Sequence, residues 1–404
     1  MGTTRRRVIL SVAVLVAFSG CRIERTSSSP GITVSDSAGV SVVVNVLDRL
    51  PDTCATYSEP RVTIGQAIGE DPYHLYRVFG ATVLSDGRIA LVNQGSQELR
   101  VYGPDGSFLF ASGRRGDGPG EFQNAFYLFR LPGDTLWVGD YGPWQFELFT
   151  PSGEWIRQVR PSPAQPSSPQ GMGVLADGRA VLAFQDRSQR SPNFTRTDML
   201  HVLLYDSTGA LLDTLAVSPY GRWGQVAGEA SSWVYPWFEA VTELAVGDER
   251  FAIGHGNVPE MRVFRLESEP ELERIIRWTG VDQSIDPSDL AVARAEIEAR
   301  YADMSGNPVT NVLLSDQRPT SDSMPVMSDV QFGTDGALWV QEYARPTDSI
   351  KNRWLQFDGD GRFTCRLVLP PGLDVYEFGS NYVLGKGEGE FRAEQVVLYD
   401  FDSP

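Results

Sequence analysis

The chain has 404 residues, with 35 basic against 52 acidic side chains, a net charge of −17 at pH 7, 41% hydrophobic residues, 40 glycines and 26 prolines. A field of that sign repels nucleic acid and anionic lipid, and no basic block offsets it, so no nucleic-acid partner is expected. Length admits either two average domains or one large all-β domain.

At the N-terminus Arg5, Arg6 and Arg7 precede an apolar run from Val8 to Phe18, then Ser19 and Gly20 before Cys21. That is the layout of an export signal, too short to remain as a membrane-spanning helix. The stretch FSGC, Phe18 to Cys21, resembles the lipobox of bacterial lipoproteins, although Phe18 stands where that family prefers Leu. The resemblance implies a signal peptide over 1–20, lipid attachment at Cys21 and a lipidated tether over 21–31, whose sequence RIERTSSSPG has no means of burying a core. An ordinary cleaved signal or a retained anchor is the alternative. Loss of the leader leaves 32 basic against 52 acidic residues, a net −20. The expected address is the cell envelope, periplasmic or lipid-anchored at the outer membrane, with membrane contact through the lipid alone. In such an oxidising compartment Cys54 and Cys365 either pair or remain two buried thiols.

From residue 60 onward a pattern recurs: a β-rich run, a Gly turn, a second run, a variable loop, a third run, another Gly turn and a fourth run. Copies are DGRIALVNQGSQELRVYGPDGSFLF, GDTLWVGDYGPWQFELFTPSGEWIRQV, and four more beginning at Asp177, Asp248, Asp335 and Ser380. Spacings of 46 and 45 residues, Gly87 to Gly133 to Gly178, suit one four-stranded propeller blade. Later spacings of 70 and 88 place insertions at 218–240 and 280–325. The sixth copy ends at Asp402 after three strands, and Val62 to Gly65 is the candidate for its missing outer strand. The expected fold is therefore all-β: a six-bladed β-propeller over 32–404, closed by an N-terminal strand, with one inserted helix. That helix starts at Asp286 as N-cap with Pro287 behind it, and Leu290, Ala293, Ile297 and Tyr301 form its apolar face.

The Gly-rich stretch ASGRRGDGPGEF, Ala111 to Phe122, then falls between blades one and two. No helix or Lys-Ser/Thr follows to make it a phosphate loop. Its GPGEF run and the WVGDYG of Trp137 to Gly142 resemble NHL-repeat propellers, and the whole layout resembles six-bladed propeller lipoproteins of unassigned function from environmental bacteria.

Aligning the second strands puts Asn93, Asp140, His255, Glu342 and Lys386 at equivalent ends around one channel mouth, with Phe184 and Gln185 at the third position. Such residues either cap strand ends or form a site in which Asp140, His255 and Glu342 hold a divalent ion, Ca or Mg, or share acid-base work. With only three histidines, a zinc site is disfavoured. The first insertion carries Tyr220, Trp223, Trp233 and Trp237, which either bury in a local core or face a protein, peptide or carbohydrate ligand. The leading expectation is a monomeric, exported, lipid-anchored propeller that binds a ligand or protein through its loop-decorated face. A divalent-metal-dependent hydrolase or lyase at the channel mouth, similar to gluconolactonases or peptide lyases of this shape, is the alternative.

Overall fold

A computed structural model of the chain describes residues 27–402 apart from 51–53, 57, 70, 142–143, 166–168, 189, 227–232, 268 and 303–307. The leader and Cys21 lie outside the described residues.

Six antiparallel blades follow one another along the chain, five of four strands over 78–112, 125–159, 169–222, 242–279 and 327–368, and a sixth of three strands over 374–402. They form a β-propeller. In each, the inner strand lines a central channel and the fourth strand lies at the rim. The turns between third and fourth strands need a left-handed residue, and Gly106, Gly153, Gly209 and Gly361 supply it at φ of 83°, 84°, 94° and 79°. Between blades the sheets bury separate apolar layers, of which one joins Val92, Val101 and Phe122 to Val138 and Phe149. Phe122, the last residue of the Gly-rich connection, is fully buried there, so that stretch is an inter-blade anchor. Its Gly120 N–H donates to Glu147, a buried carboxylate also held by Trp155 at 2.7 Å and Gln158 at 2.7 Å.

Blade six has only three strands of its own, and Val62–Ile64 supplies the fourth by pairing antiparallel with Val396, Val397 and Leu398. Blade one is fastened to blade six across the same seam. Val78 N–H donates to Glu394 at 2.8 Å, Tyr376 O–H donates to Val78 O at 2.6 Å, and the Glu377 carboxylate accepts from Thr82, Val83 and Tyr382.

The N-terminal segment does more than close the ring. Ile32–Ser37 and Val40–Val46 form a hairpin whose second strand pairs in parallel with the rim strand of blade four, Pro270–Thr279, widening that blade to seven strands. Ser27–Ser29 adds the outermost strand, so the segment expected as a tether up to residue 31 enters the sheet at Ser27. Asn45, fully buried, donates to Arg277 O at 3.2 Å and Gly361 O at 3.1 Å and accepts from Phe363 N–H at 2.8 Å, which rivets the hairpin to blades four and five. Farther on, Cys54 N–H donates to Arg366 O at 3.2 Å, and Cys54 is joined to Cys365 by a disulfide with Cα atoms 5.5 Å apart. A strap thus runs outside blades four, five and six.

The two insertions build one cap with its own core. Helix α1, Pro287–Arg300, turns Leu290, Ala293 and Ile297 onto Trp237, Phe238 and Met324. A second helix that the sequence reading, with its one inserted helix, did not include, α2 at Pro308–Leu313, packs Val312 against Val226 and Val234. Arg294 bonds Leu314 O at 2.7 Å and Asp316 at 2.8 Å, tying α1 to the segment after α2. The cap is locked to blade five by Asp289, fully buried in the first turn of α1. Its carboxylate takes Arg345 at 2.6 Å, Thr347 at 2.8 Å and the Asp286 N–H at 3.0 Å.

Cys54→Ala/Cys365→Ala should lower stability by up to about 5 kcal/mol, because the bond closes a loop of 311 residues. Denaturant unfolding under oxidising conditions checks this, and an unchanged midpoint would contradict it. The Arg345 guanidinium, with the surrounding hydrogen bonds, holds the Asp289 carboxyl below its usual range. Its contribution is therefore present above the unfolded carboxyl value near pH 4 and fades as pH falls through the depressed folded one. Asp289→Asn should loosen the cap by about 3 kcal/mol at pH 7 and by much less near pH 3. Hydrogen exchange across 280–325 reads this out separately from the blades.

Candidate functional site

The register settles where the second-strand ends lie. Asn93, Asp140, Phe184, His255, Glu342 and Lys386 each pair with the first residue of their blade's inner strand: Val78, Ala125, Pro169, Thr242, Met327 and Asp374. All six therefore sit at one level on the face that carries the second-to-third strand loops. Their side chains serve their own blades. Asn93 accepts from Tyr76 N–H at 2.8 Å and donates to Ser96 at 2.9 Å. Asp140 caps the inter-blade connection, accepting from Gln123 and Asn124 N–H at 2.9 and 2.8 Å. Glu342 pairs with Arg366 at 2.8 Å and Arg353 at 3.5 Å, Lys386 with Asp374 at 3.4 Å and Glu394 at 3.7 Å, and His255 Nδ1 lies 2.7 Å from Asn257 Oδ1. Asp140, His255 and Glu342 are not brought together, and among the described residues no three His, Cys, Asp or Glu side chains form a metal-holding group.

The aromatic insertion turns inward. Tyr220 and Trp237 are buried, the first in the layer between blades three and four and the second in the cap. Arg190 lies 4.5 Å from the ring centre of Trp223 and 5.2 Å from that of Trp233, and Arg318 lies 3.9 Å from that of Trp237. Trp223 also meets Tyr235 edge-on at 4.2 Å. The three tryptophans hold the cap together, Trp237 buried and Trp223 and Trp233 half-buried against Arg190, while Tyr220 reaches the channel wall.

What opens between the blades is the channel, in two chambers of about 540 and 490 Å³ that meet at a waist formed by Leu128, Phe129, Phe332 and Tyr376. The lower chamber lies toward the first-to-second strand turns and includes Arg130, Arg250, Asp335 and Glu377 in its wall. The upper one opens toward the loop-bearing face, and among the described residues no Lys, Arg or His lines it. Its charge comes from two acids on adjacent inner strands: Glu243 on Thr242–Val246 of blade four and Asp329 on Met327–Phe332 of blade five. Asp329 accepts from Val330 N–H at 2.8 Å and Gln331 Nε2 at 3.2 Å, both neutral donors. Glu243 has no hydrogen-bond or ion-pair partner among the described residues, and protein encloses it except where it opens onto the void. Burial, reinforced by the charge of Asp329, pushes the Glu243 carboxyl up to about 8, and burial pushes Asp329 up to about 6.

Sequence reading missed this pair. The signal was present, since TELAV and SDVQF each set an acid inside an otherwise apolar or neutral inner strand, where packing has no use for one. Tyr127, Tyr220 and Tyr376 surround the pair within the same chamber, together with Phe129 and Phe332.

The chain is a six-bladed β-propeller with a helical cap on its loop face. No family model matches it, and no curated protein does. Among solved structures it is similar to a Bacteroides fragilis protein assigned to the exported class, with 12% identity over 90% of this chain and 99% of that one and a TM-score of 0.51. It is also similar to a member of the DUF4221 family from Bacteroides vulgatus, with 10% identity over 87% and 98% and a TM-score of 0.53. A virginiamycin B lyase from Staphylococcus aureus matches more loosely, at 13% identity over 77% and 79% with a TM-score of 0.36. Likeness at these identities establishes the fold alone.

The folded Glu243 value lies above the ordinary 4.5, so its contribution to stability is complete below that value and is lost as pH rises toward about 8. Glu243→Gln removes the loss. Its melting temperature should equal that of the wild type near pH 4 and exceed it at pH 8, by on the order of 2 kcal/mol of stability. Melts at pH 4, 6 and 8 check the divergence; parallel curves would place Glu243 in a solvated setting.

Proposed function

We propose that the chain is an exported binding protein, held at the cell envelope through Cys21, that takes a small ligand into the upper chamber of its channel. The carrying observation is Glu243: an enclosed carboxylate without a partner among the described residues, facing a void of about 490 Å³, a volume in the range of small-molecule sites. A side chain in that setting costs stability unless something else meets it. Two features support the address. The disulfide between Cys54 and Cys365 suits an oxidising compartment, and one propeller of similar fold is assigned as exported. The ligand therefore enters from the loop face, beside the cap, and the cap's tryptophans act as scaffold. The metal-dependent hydrolase or lyase reading has less to support it, since the chamber holds two carboxylates and, among the described residues, no three His, Cys, Asp or Glu side chains are grouped.

A thermal-shift screen of metabolites tests this on the wild type and on Gln170→Trp, which sets a ring into the chamber wall at an exposed position. A ligand present at 100 times its Kd should stabilise the wild type by about 2.7 kcal/mol and leave the variant unmoved. Ligands that shift both proteins equally would place the site elsewhere.

A further inference from the structure

We propose that the upper chamber recognises an organic ammonium ion, quaternary or heavily alkylated, set between the Glu243–Asp329 pair and the aromatic walls. This rests on the chamber being the binding site and names what it takes.

Three independent features of the wall point the same way. The first is the sign of the charge. Two acids face the void and, among the described residues, no Lys, Arg or His lines it, so the wall itself favours a cation over an anion. The nearby cations sit around the wall and not in it: Lys386 bonds Asp374 and Glu394, Arg187 bonds Gln185 beside Tyr220, Arg77 lies over Phe79 at the mouth, and Arg130 and Arg250 belong to the lower chamber.

The second is the missing partner. Asp329 is steadied by two neutral donors, which orient it without cancelling its charge, while Glu243 is enclosed and unpaired among the described residues. A ligand cation supplies what the fold leaves out.

The third is the character of the remaining surface. Tyr127 and Phe129 stack at 6.2 Å with 13° between their planes, and Tyr220, Phe332 and Tyr376 complete the aromatic wall. The Tyr220 hydroxyl donates to Gln170 at 3.1 Å and that of Tyr376 to Val78 O at 2.6 Å. With those hydroxyls bonded to the walls, the rings offer the void mainly carbon and π surface. Such a wall attracts a cation through the ring quadrupole and tolerates its alkyl groups. The same mouth already shows the preference, since Arg77 and Lys386 lie 5.4 and 6.0 Å from the ring centre of Phe79.

These features separate an ammonium from its competitors. Calcium or magnesium requires six or more oxygen ligands or retained waters, and this wall sets only two carboxylates beside the neutral side chains of Gln170, Thr242 and Gln331. A sugar could use the Gln170, Thr242 and Gln331 side chains but would leave the carboxylates without a countercharge, which an onium ion supplies.

Binding should release protons. The groups facing Glu243 are Asp329 from blade five and Tyr220 from blade three, with Tyr127 and Tyr376 across the chamber, and His255, Lys386, Arg77 and Arg187 around its mouth. Burial pushes Tyr127 up to about 12 and the other two tyrosines also above the usual phenol range, so the carboxyls carry the chamber's own titration between pH 5 and 9. Because a cation favours the ionised pair, affinity should rise between pH 6 and 8 and then level off.

The experiment is calorimetric titration of the full chain at pH 8 with four probes: tetramethylammonium, choline, its neutral isostere 3,3-dimethylbutan-1-ol, and calcium chloride. Choline should bind at least about thirtyfold more tightly than the isostere, a margin expected of a desolvated cation against rings and carboxylates. Glu243→Gln/Asp329→Asn should lose at least about tenfold for choline while the isostere is unaffected. Neutralising these acids relieves burial cost, and a melt confirms that the variant is folded. Equal binding of choline and isostere, both blocked by Gln170→Trp, would overturn the ammonium assignment and leave the chamber reading standing. Calcium binding without ammonium binding would overturn it in favour of a metal. Choline binding that survives both the double substitution and Gln170→Trp would overturn both.

Discussion

The pairing of Val62–Ile64 with the last strand of the chain is the contact on which the rest depends. A ring of sheets has a first and a last blade, and unless they are joined the sixth keeps an open edge and the channel has no fixed shape. Joining them with a strand from the opposite end of the sequence makes closure a property of the whole chain. Glu377 and Tyr376, bonded across the same seam to Thr82, Val83 and Val78, then set the distance between the first and last inner strands. The chamber geometry follows from that distance.

Much of this was legible before any coordinates. Gly-bearing turns at regular spacing and a copy short of one strand sufficed to infer six blades and their closure, because hairpins are written in adjacent residues. The strap was not legible. Val40–Val46 pairs in parallel with a strand more than 200 residues away, and nothing in VSVVVNV names its neighbour. The α2 helix escaped for a local reason: six residues after a proline carry too little periodicity to stand out from a loop. At the second-strand ends, sequence placed six residues at one level and the register agrees, but level says nothing about direction, and Asp140 and Glu342 turn toward their own blades. Glu243 and Asp329 went unnoticed because repeat alignment rewards what recurs, and a site is where one blade departs from the others.

The protein keeps two kinds of buried acid. Glu147, Asp289 and Glu377 are each met by several donors, and each fastens one element to another. Glu243 fastens nothing. The contrast within one molecule is informative, since the same chain that satisfies its structural carboxylates so fully leaves this one facing an opening. Its cap follows a similar division: tryptophans stacked against arginines make it stiff, and the chamber beside it stays clear of those side chains.

The strap also governs how the molecule carries load. Tension applied at the N-terminus acts first on the hairpin of residues 27–46, which lies outside blade four and can be stripped without opening any blade. At Cys54 the force passes through a covalent bond into the rim of blade five. The closing strand at Val62–Ile64 lies beyond that point and is shielded from the pull. A domain tugged from its leading end would therefore shed its outer ribbon and keep its ring, so drag on the chain and the shape of the channel are mechanically decoupled.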